Sequence, residues 1–330
     1  MTPAPARAAP LLAGLAAATV SGACLALLLA PADPAVLAVG TRAAALGAGV
    51  ATLGLAAVGF LHRSSGGPGR GKARAASLHE RQWRMLLVVA LAWMVLAAAQ
   101  AVASAADLLG VPVLGLSLAQ LGEYAVGISA GQVSLVVLAC TLLIAGMAIL
   151  AQRGTAGSWD APACAIAALA LVCGPLSGHA MHSSASGLLV AVHVLAAGSW
   201  CGGLVAIALT ARSRSEWSHA LPAFSRLAWW CVLALAASGV AAAALVLPGP
   251  AALPGTGYGR ILLAKTALLI VLLGLGWRAR ANWVGAARAH QHEASRSLRR
   301  SVIEAVVMAV ALGIAAALAA TPVPLMGDMP

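Results

Sequence analysis

Charge is what this chain has least of: of its 330 residues, 9% are Asp, Glu, Lys or Arg, while 62% are hydrophobic. Soluble domains carry about 25% charged residues, and one core cannot hide so much apolar surface, so a water-soluble globular fold is excluded. Large rings are also scarce, with 2 Phe and 2 Tyr against 35 Gly. Helices in such a chain approach one another through small residues. The 6 Cys (Cys24, Cys140, Cys164, Cys173, Cys201 and Cys231) stand singly in apolar runs, with no CxxC pair. A disulfide framework is therefore not expected, and each Cys reads first as a small packing residue. No ATP-binding loop, phosphorylation motif or sizeable polar domain is present, which excludes a primary pump acting by itself. Nor does any sequence repeat support an inverted-repeat transporter.

What is present is a succession of apolar runs, each close to the ~20 residues that cross a bilayer. They predict about nine membrane-spanning helices, over 9–30, 36–61, 85–106, 130–151, 161–178, 186–210, 227–247, 259–280 and 300–320. The fold class is all-α, a polytopic membrane helical bundle whose first partner is the lipid bilayer. Two regions are distinguished: residues 1–160, with four helices and a basic loop, and residues 161–330, with five.

The formal net charge of +11 would suit nucleic acid if it were gathered on one face, but it alternates between loops. Segment 62–84 carries Arg63, Arg70, Lys72, Arg74, Arg81 and Arg84; 211–226 carries Arg212, Arg214 and Arg226; 278–300 carries six Arg; and the short 152–160 turn carries Arg153. The intervening segments 31–35, 107–129, 179–185, 248–258 and 321–330 are poor in Lys and Arg. That is the positive-inside pattern, with the N-terminus inside and the C-terminus outside, and no nucleic-acid partner is expected. Residues 1–30 read as a retained helix. A signal peptide, with Arg7 ahead of the apolar stretch and Ala30-Pro31-Ala32 as cleavage site, is the alternative and would leave eight helices. Segment 62–80, rich in Gly, Ser and Arg, is expected to form a mobile inner loop. The semi-apolar 107–129 is expected to lie along the outer interface.

Ionisable side chains inside spanning helices cost several kcal/mol unless they pair or snorkel, so each one present has a reason to be there. His193 lies on the outer half of the sixth helix, and His179 and His182 flank Met181 where the fifth turns into the sixth. Imidazole binds first-row metals and a thioether favours soft Cu(I), so the set reads as a metal mouth. Met326 and Met329 of the outer tail are able to fold over it. Against this, a lone intramembrane His often only hydrogen-bonds a carbonyl or a Ser. His193 also sits ~10 Å below the helix start, so these groups are either one site at an inward-dipping turn or successive stations. Lys265 follows Arg260 by five residues and is able to snorkel; Glu304 is four residues after Arg300, an ion-pair spacing. Both, with Arg260, are possible polar coupling residues. His62, His79, His219, His290 and His292 fall in inner loops and read as solvated. Trp200, Trp229, Trp230, Trp277 and Trp283 sit near helix ends, as interfacial aromatics do.

The segment GHAMHSSASGLLVAVHVLAAGSWCGGL (178–204) resembles a stretch of the CopD copper-resistance family that reads GHA followed by H-x-x-A-x-x-x-W-x-GGL. FSRLAWWCVLALAASGV (224–240), GYGRILLAKTALLIVLLGLG (257–276) and SLRRSVIEAVVMAVALGIAAALAATPVP (297–324) resemble the family's following helices in order, with Ser238-Gly239 where Thr-Gly is usual. The first half resembles the family in topology. The resemblance implies copper handling at the bacterial inner membrane, with copper moving from periplasm to cytoplasm. His179 and His193 match recurrent histidines, Trp200, Gly202 and Gly203 a packing motif, and Tyr258, Arg260, Lys265 and Glu304 recurrent polar positions. Met181 and His182 are additions argued from chemistry. A separate periplasmic CopC-like copper donor is the expected partner, since a donor domain is not evident in this chain.

The leading expectation is a copper permease, not an enzyme, with Cu(I) as favoured cargo. Its path starts at His179, Met181 and His182, passes His193, and continues by Met94, Met147 or Cys201. A membrane haem protein with His193 as axial ligand is a second reading, although a second deep His is missing. A non-transporting metal sensor or assembly partner is a third.

Overall fold

The structure is a computed structural model that describes residues 13–15, 17–19, 21–25, 28, 36–63, 72–154, 158–176, 184–246, 252–287, 303 and 306–314. Among these residues the ordered elements are helical. The main ones are α1 (Val36–Arg63), α2 (Lys72–Leu109), α3 (Leu118–Gly127), α4 (Ser129–Gln152), α5 (Asp160–Leu176), α6 (Ser184–Thr210), α7 (Arg214–Val246), α8 (Ala252–Gly255) and α9 (Gly257–Ala287). Among the described residues six helices are long and apolar enough to cross a membrane: α1, α2, α4, α6, α7 and α9. Shorter apolar helices cover Ala13–Leu25 and Asp160–Pro175. Together with the helical residues 306–314, each of the nine apolar runs carries helix where it is described. The protein is an all-α polytopic helical bundle.

Two helices start well before their apolar runs. Helix α2 begins at Lys72, not near 85, so the second half of the expected 62–80 loop is helical. KARAASLHERQWR contains neither Gly nor Pro and consists mostly of strong helix formers. It places Leu78, Gln82 and Trp83 on a buried side, and Glu80 pairs with Arg84 one turn on. Hydropathy alone misses such an amphipathic extension. Helix α7 likewise begins at Arg214 and carries Pro222 inside it. Segment 107–129 forms a 3-10 turn (Val113–Gly115) and then α3, begun by a reciprocal capping box between Ser117 and Gln120. Its Leu114, Leu118 and Val126 are exposed, as suits a segment lying in an interface.

The bundle is built around α1, which packs against α2, α5, α6 and α7. Of its apolar stretch 67% is buried within the protein, against 17% for α9, so α1 is core and α9 is peripheral. The contact of α1 with α6 is made by glycine. A Cβ on Gly54 would overlap the Gly202 carbonyl, and one on Gly202 would overlap the backbone at Val50. The two backbones therefore touch, as small-residue membrane contacts allow. We expect Gly202→Val to destabilise the bundle by about 1–3 kcal/mol or more, the cost of overpacking. Gly146→Ala, where a Cβ meets open space, should leave the thermal unfolding midpoint in detergent unchanged.

One end of the bundle is polar and basic. There Gln82 Nε2 donates to Leu55 O (3.1 Å) and to Asp160 Oδ1 (2.7 Å), joining α1, α2 and the first turn of α5. Gln152 at the end of α4 reaches Ala148 O (3.0 Å) and Trp83 O. Arg81 Nη2 donates to Glu216 Oε1 at 2.8 Å, joining α2 to the start of α7. The ends of α1, α4 and α6 thus meet the starts of α2, α5 and α7, and Arg81, Arg84 and Arg212 lie close together there.

Candidate functional site

Helices α6 and α7 are antiparallel neighbours joined by Ala211–Ser213. The connection is closed at the basic end by local chemistry. Glu216 Oε2 accepts from the backbone N–H of Arg212 (2.6 Å) and Ser213 (3.3 Å), and Glu216 N donates to Ser213 Oγ (3.3 Å). This Ser-x-x-Glu capping box starts α7, and its second carboxylate oxygen holds Arg81.

Toward the opposite end, His193 stands half-buried between the two helices. It is nine residues from the start of α6, about 13 Å at 1.5 Å per residue. His193 Nδ1 lies 3.0 Å from Ser238 Oγ of α7. The Ser238 hydroxyl has one hydrogen, and Ala234 O, at 2.6 Å, takes it. With that hydrogen on Ala234 O, the histidine is assigned as the donor, Nδ1–H pointing at Ser238 Oγ. Nε2 is left with its lone pair free of a proton, the form that ligates a metal. Gly239 lies beneath the ring: a Cβ there would be 3.7 Å from His193 Cε1.

Lys265 lies eight residues into α9, at a comparable depth, and is close enough to His193 for their charges to interact. Two positions singled out separately in the sequence, His193 and Lys265, thus lie within electrostatic reach of one another. Arg260 does not join them. It is exposed at the start of α9, where Thr256 Oγ1 accepts from Gly259 N (3.0 Å) and Arg260 reaches toward Pro254 O. Cys201 is buried in α6 and packs in the main core with Cys231 of α7. Met94 and Met147 belong to another helix pair, α2 and α4; both are half-buried, and Met147 packs against the main core. His179, Met181, His182, Glu304, Met326 and Met329 lie outside the described residues. Among the described residues no cluster of three or more His, Cys, Asp or Glu is placed to hold a metal ion. His79 and His219 are exposed, His79 against Trp83.

Sequence reasoning named Ser238, Arg81 and Cys231 only as parts of a motif, a basic loop and the packing, and it did not single out Gln82, Asp160 or Glu216. Only Glu216 left a local signal, the Ser-x-x-Glu spacing after an apolar run.

A family model described as Copper resistance protein D matches residues 218–318. A second, Copper resistance protein D-like, N-terminal domain, matches residues 30–189. The chain belongs to the copper resistance protein D family. It is a multi-pass membrane protein of a copper-handling family, and CopD character extends into the first half of the chain, where the sequence resemblance was one of topology. The stretch 190–217, which holds His193, Trp200, Gly202 and Gly203, lies between the two matched regions. No curated relative and no solved structure matches the chain.

Proposed function

We propose that this CopD protein moves copper across the bacterial inner membrane, from the periplasm into the cytoplasm. The path opens at His179, Met181 and His182 at the outer mouth and continues at His193. Region 161–330 carries the path, and region 1–160 supplies the helices that it leans on. The observation that supports this reading is the His193–Ser238 pair. An imidazole held by its Nδ1–H within a helix interface, with Nε2 free, is prepared to take a first-row metal rather than to serve packing alone. Lys265 nearby adds a positive charge that opposes long residence of a cation. A site of that kind suits transit better than storage. Cu(I) is the cargo that the Met181 thioether favours, and a separate periplasmic CopC-like protein is its donor.

Cellular copper uptake in His179→Ala, His193→Ala and the double variant tests the proposal. Each single variant is expected to slow uptake and the double to abolish it, at normal protein levels. Unchanged uptake in the double variant would sink the transport path. Proteoliposomes loaded with copper on one side give the direction.

A further inference from the structure

We propose that residues 13–25 form a permanent helix of the folded protein, one that closes the bundle against the last helix and seats the start of α9, rather than a leader removed on export. The placement stands independently of any copper path. This stretch lies outside both matched regions, which cover 30–189 and 218–318, and the sequence allowed either fate for it. Its partner is the helical segment 306–314, and the two meet backbone to backbone. A Cβ on Gly22 would overlap the Val310 carbonyl, and one on Gly313 would overlap the Thr19 carbonyl. Thr19, Gly22 and Ala23 fall at i, i+3 and i+4, and so do Val310, Gly313 and Ile314. Each set lies on one face of its helix, so the contact is made by one narrow face of each.

The contact is enclosed by the rest of the bundle. Thr19 is 2% exposed and donates its hydroxyl to Leu15 O (2.8 Å). It lies against α1, where a Cβ on Gly47 would be 3.6 Å from Thr19 Oγ1. Ala23 and Ile314 are buried together with Val39 and Ala43 of α1 and Ile261 of α9. The α1 residues are near its start, the end opposite the basic one, and Ile261 is near the start of α9. Four segments thus meet in one apolar cluster, while Leu15 and Met308 carry the first and last of them into the main core. A leader that is used once and discarded needs no such registered contact. A permanent span does, because within lipid helices are held by close backbone approach rather than by a hydrophobic drive. The consequence falls on α9. It is the least enclosed of the six spanning helices, yet Ile261 is buried. Loss of residues 13–25 would open this seat and uncover Gly313 and the α1 face at Gly47.

The N-terminus of the full chain purified from membranes tests retention, read by intact mass and N-terminal sequencing. A polypeptide that keeps residues 13–25 is expected; one that starts after Ala32 would overturn the proposal. Gly22→Ala, Gly313→Ala and the double variant test the closure, read as thermal unfolding midpoints in detergent. Each single variant should lower the midpoint by about 2–4 °C or more, as overpacking does. The double variant should lose clearly less than the sum, because both glycines serve one contact. Gly14→Ala, where a Cβ meets open space, should leave the midpoint unchanged. Additive losses, or losses no larger than that of Gly14→Ala, would overturn the pairing of the two helices. The first measurement uses the wild type, so it decides retention even where a glycine variant fails to fold.

Discussion

Glu216→Ala is expected to destabilise the protein by about 4 kcal/mol and to loosen the basic end of the bundle, read as a lower thermal unfolding midpoint in detergent. Breaking a buried ion pair by removing one partner costs about 3–5 kcal/mol, because the other charge is left buried and unpaired. Here Glu216 is 6% exposed and Arg81 15%, so water reaches the guanidinium in part and the lower figure applies. Arg81 Nε, buried without a hydrogen-bond partner among the described residues, gains nothing from the loss. The substitution also frees the backbone N–H groups of Arg212 and Ser213, a capping loss of about 1 kcal/mol. The two contributions separate in a second variant. Glu216→Leu with Arg81→Met removes both charges and should recover most of the ion-pair cost, since apolar replacement of a buried pair is often neutral. It should not recover the cap. A midpoint for the double variant as low as for Glu216→Ala would show that capping, not the pair, carries the effect.

This ion pair also shows where sequence reading stopped. The Ser213–Glu216 spacing is a local pattern and could be read, but Arg81 lies 135 residues away and nothing in the chain announces it as the partner. The same holds for Gln82 and Asp160, which are separated by 78 residues. In an apolar sequence a few polar groups at helix ends find one another only in the fold. Periodicity was equally one-sided. The apolar runs located α1, α4 and α6 to within a few residues, because uniform hydropathy is what lipid demands of a span. The amphipathic first turns of α2 and α7 escaped, because there the helix is set by propensity and by one buried face, and the mean hydropathy falls. Of the basic residues legible as a group, Arg81, Arg84 and Arg212 lie close together at one end of the bundle.

The candidate site divides along the same line. His193 stood out because an imidazole inside an apolar run is costly, and two readings of it were open, a metal ligand or a hydrogen-bonded structural residue. The structure shows the second, a bond to Ser238, 45 residues away, and that bond leaves Nε2 available for the ligand role proposed above.

Ser238→Ala follows from that bond. Partners that hold a ligating histidine typically account for about 10–100-fold in metal affinity or activity. On the proposed path, the half-saturating copper concentration for uptake should therefore rise by about that factor in Ser238→Ala. The alanine leaves His193 Nδ1 without its acceptor, and the imidazole is free to move its proton to Nε2, the nitrogen that copper needs. Ser238→Thr keeps the hydroxyl, and its oxygen can still donate to Ala234 O while accepting from Nδ1–H. It should stay within a factor of a few of the wild type. Uptake at saturating copper decides between a positioning role and general damage. If Ser238 acts through His193, the maximal rate in Ser238→Ala approaches that of the wild type once copper is in excess. A protein that is merely unstable loses the maximal rate and keeps its half-saturation point. Equal half-saturation in wild type and Ser238→Ala would separate Ser238 from copper altogether and return His193 to a purely structural role.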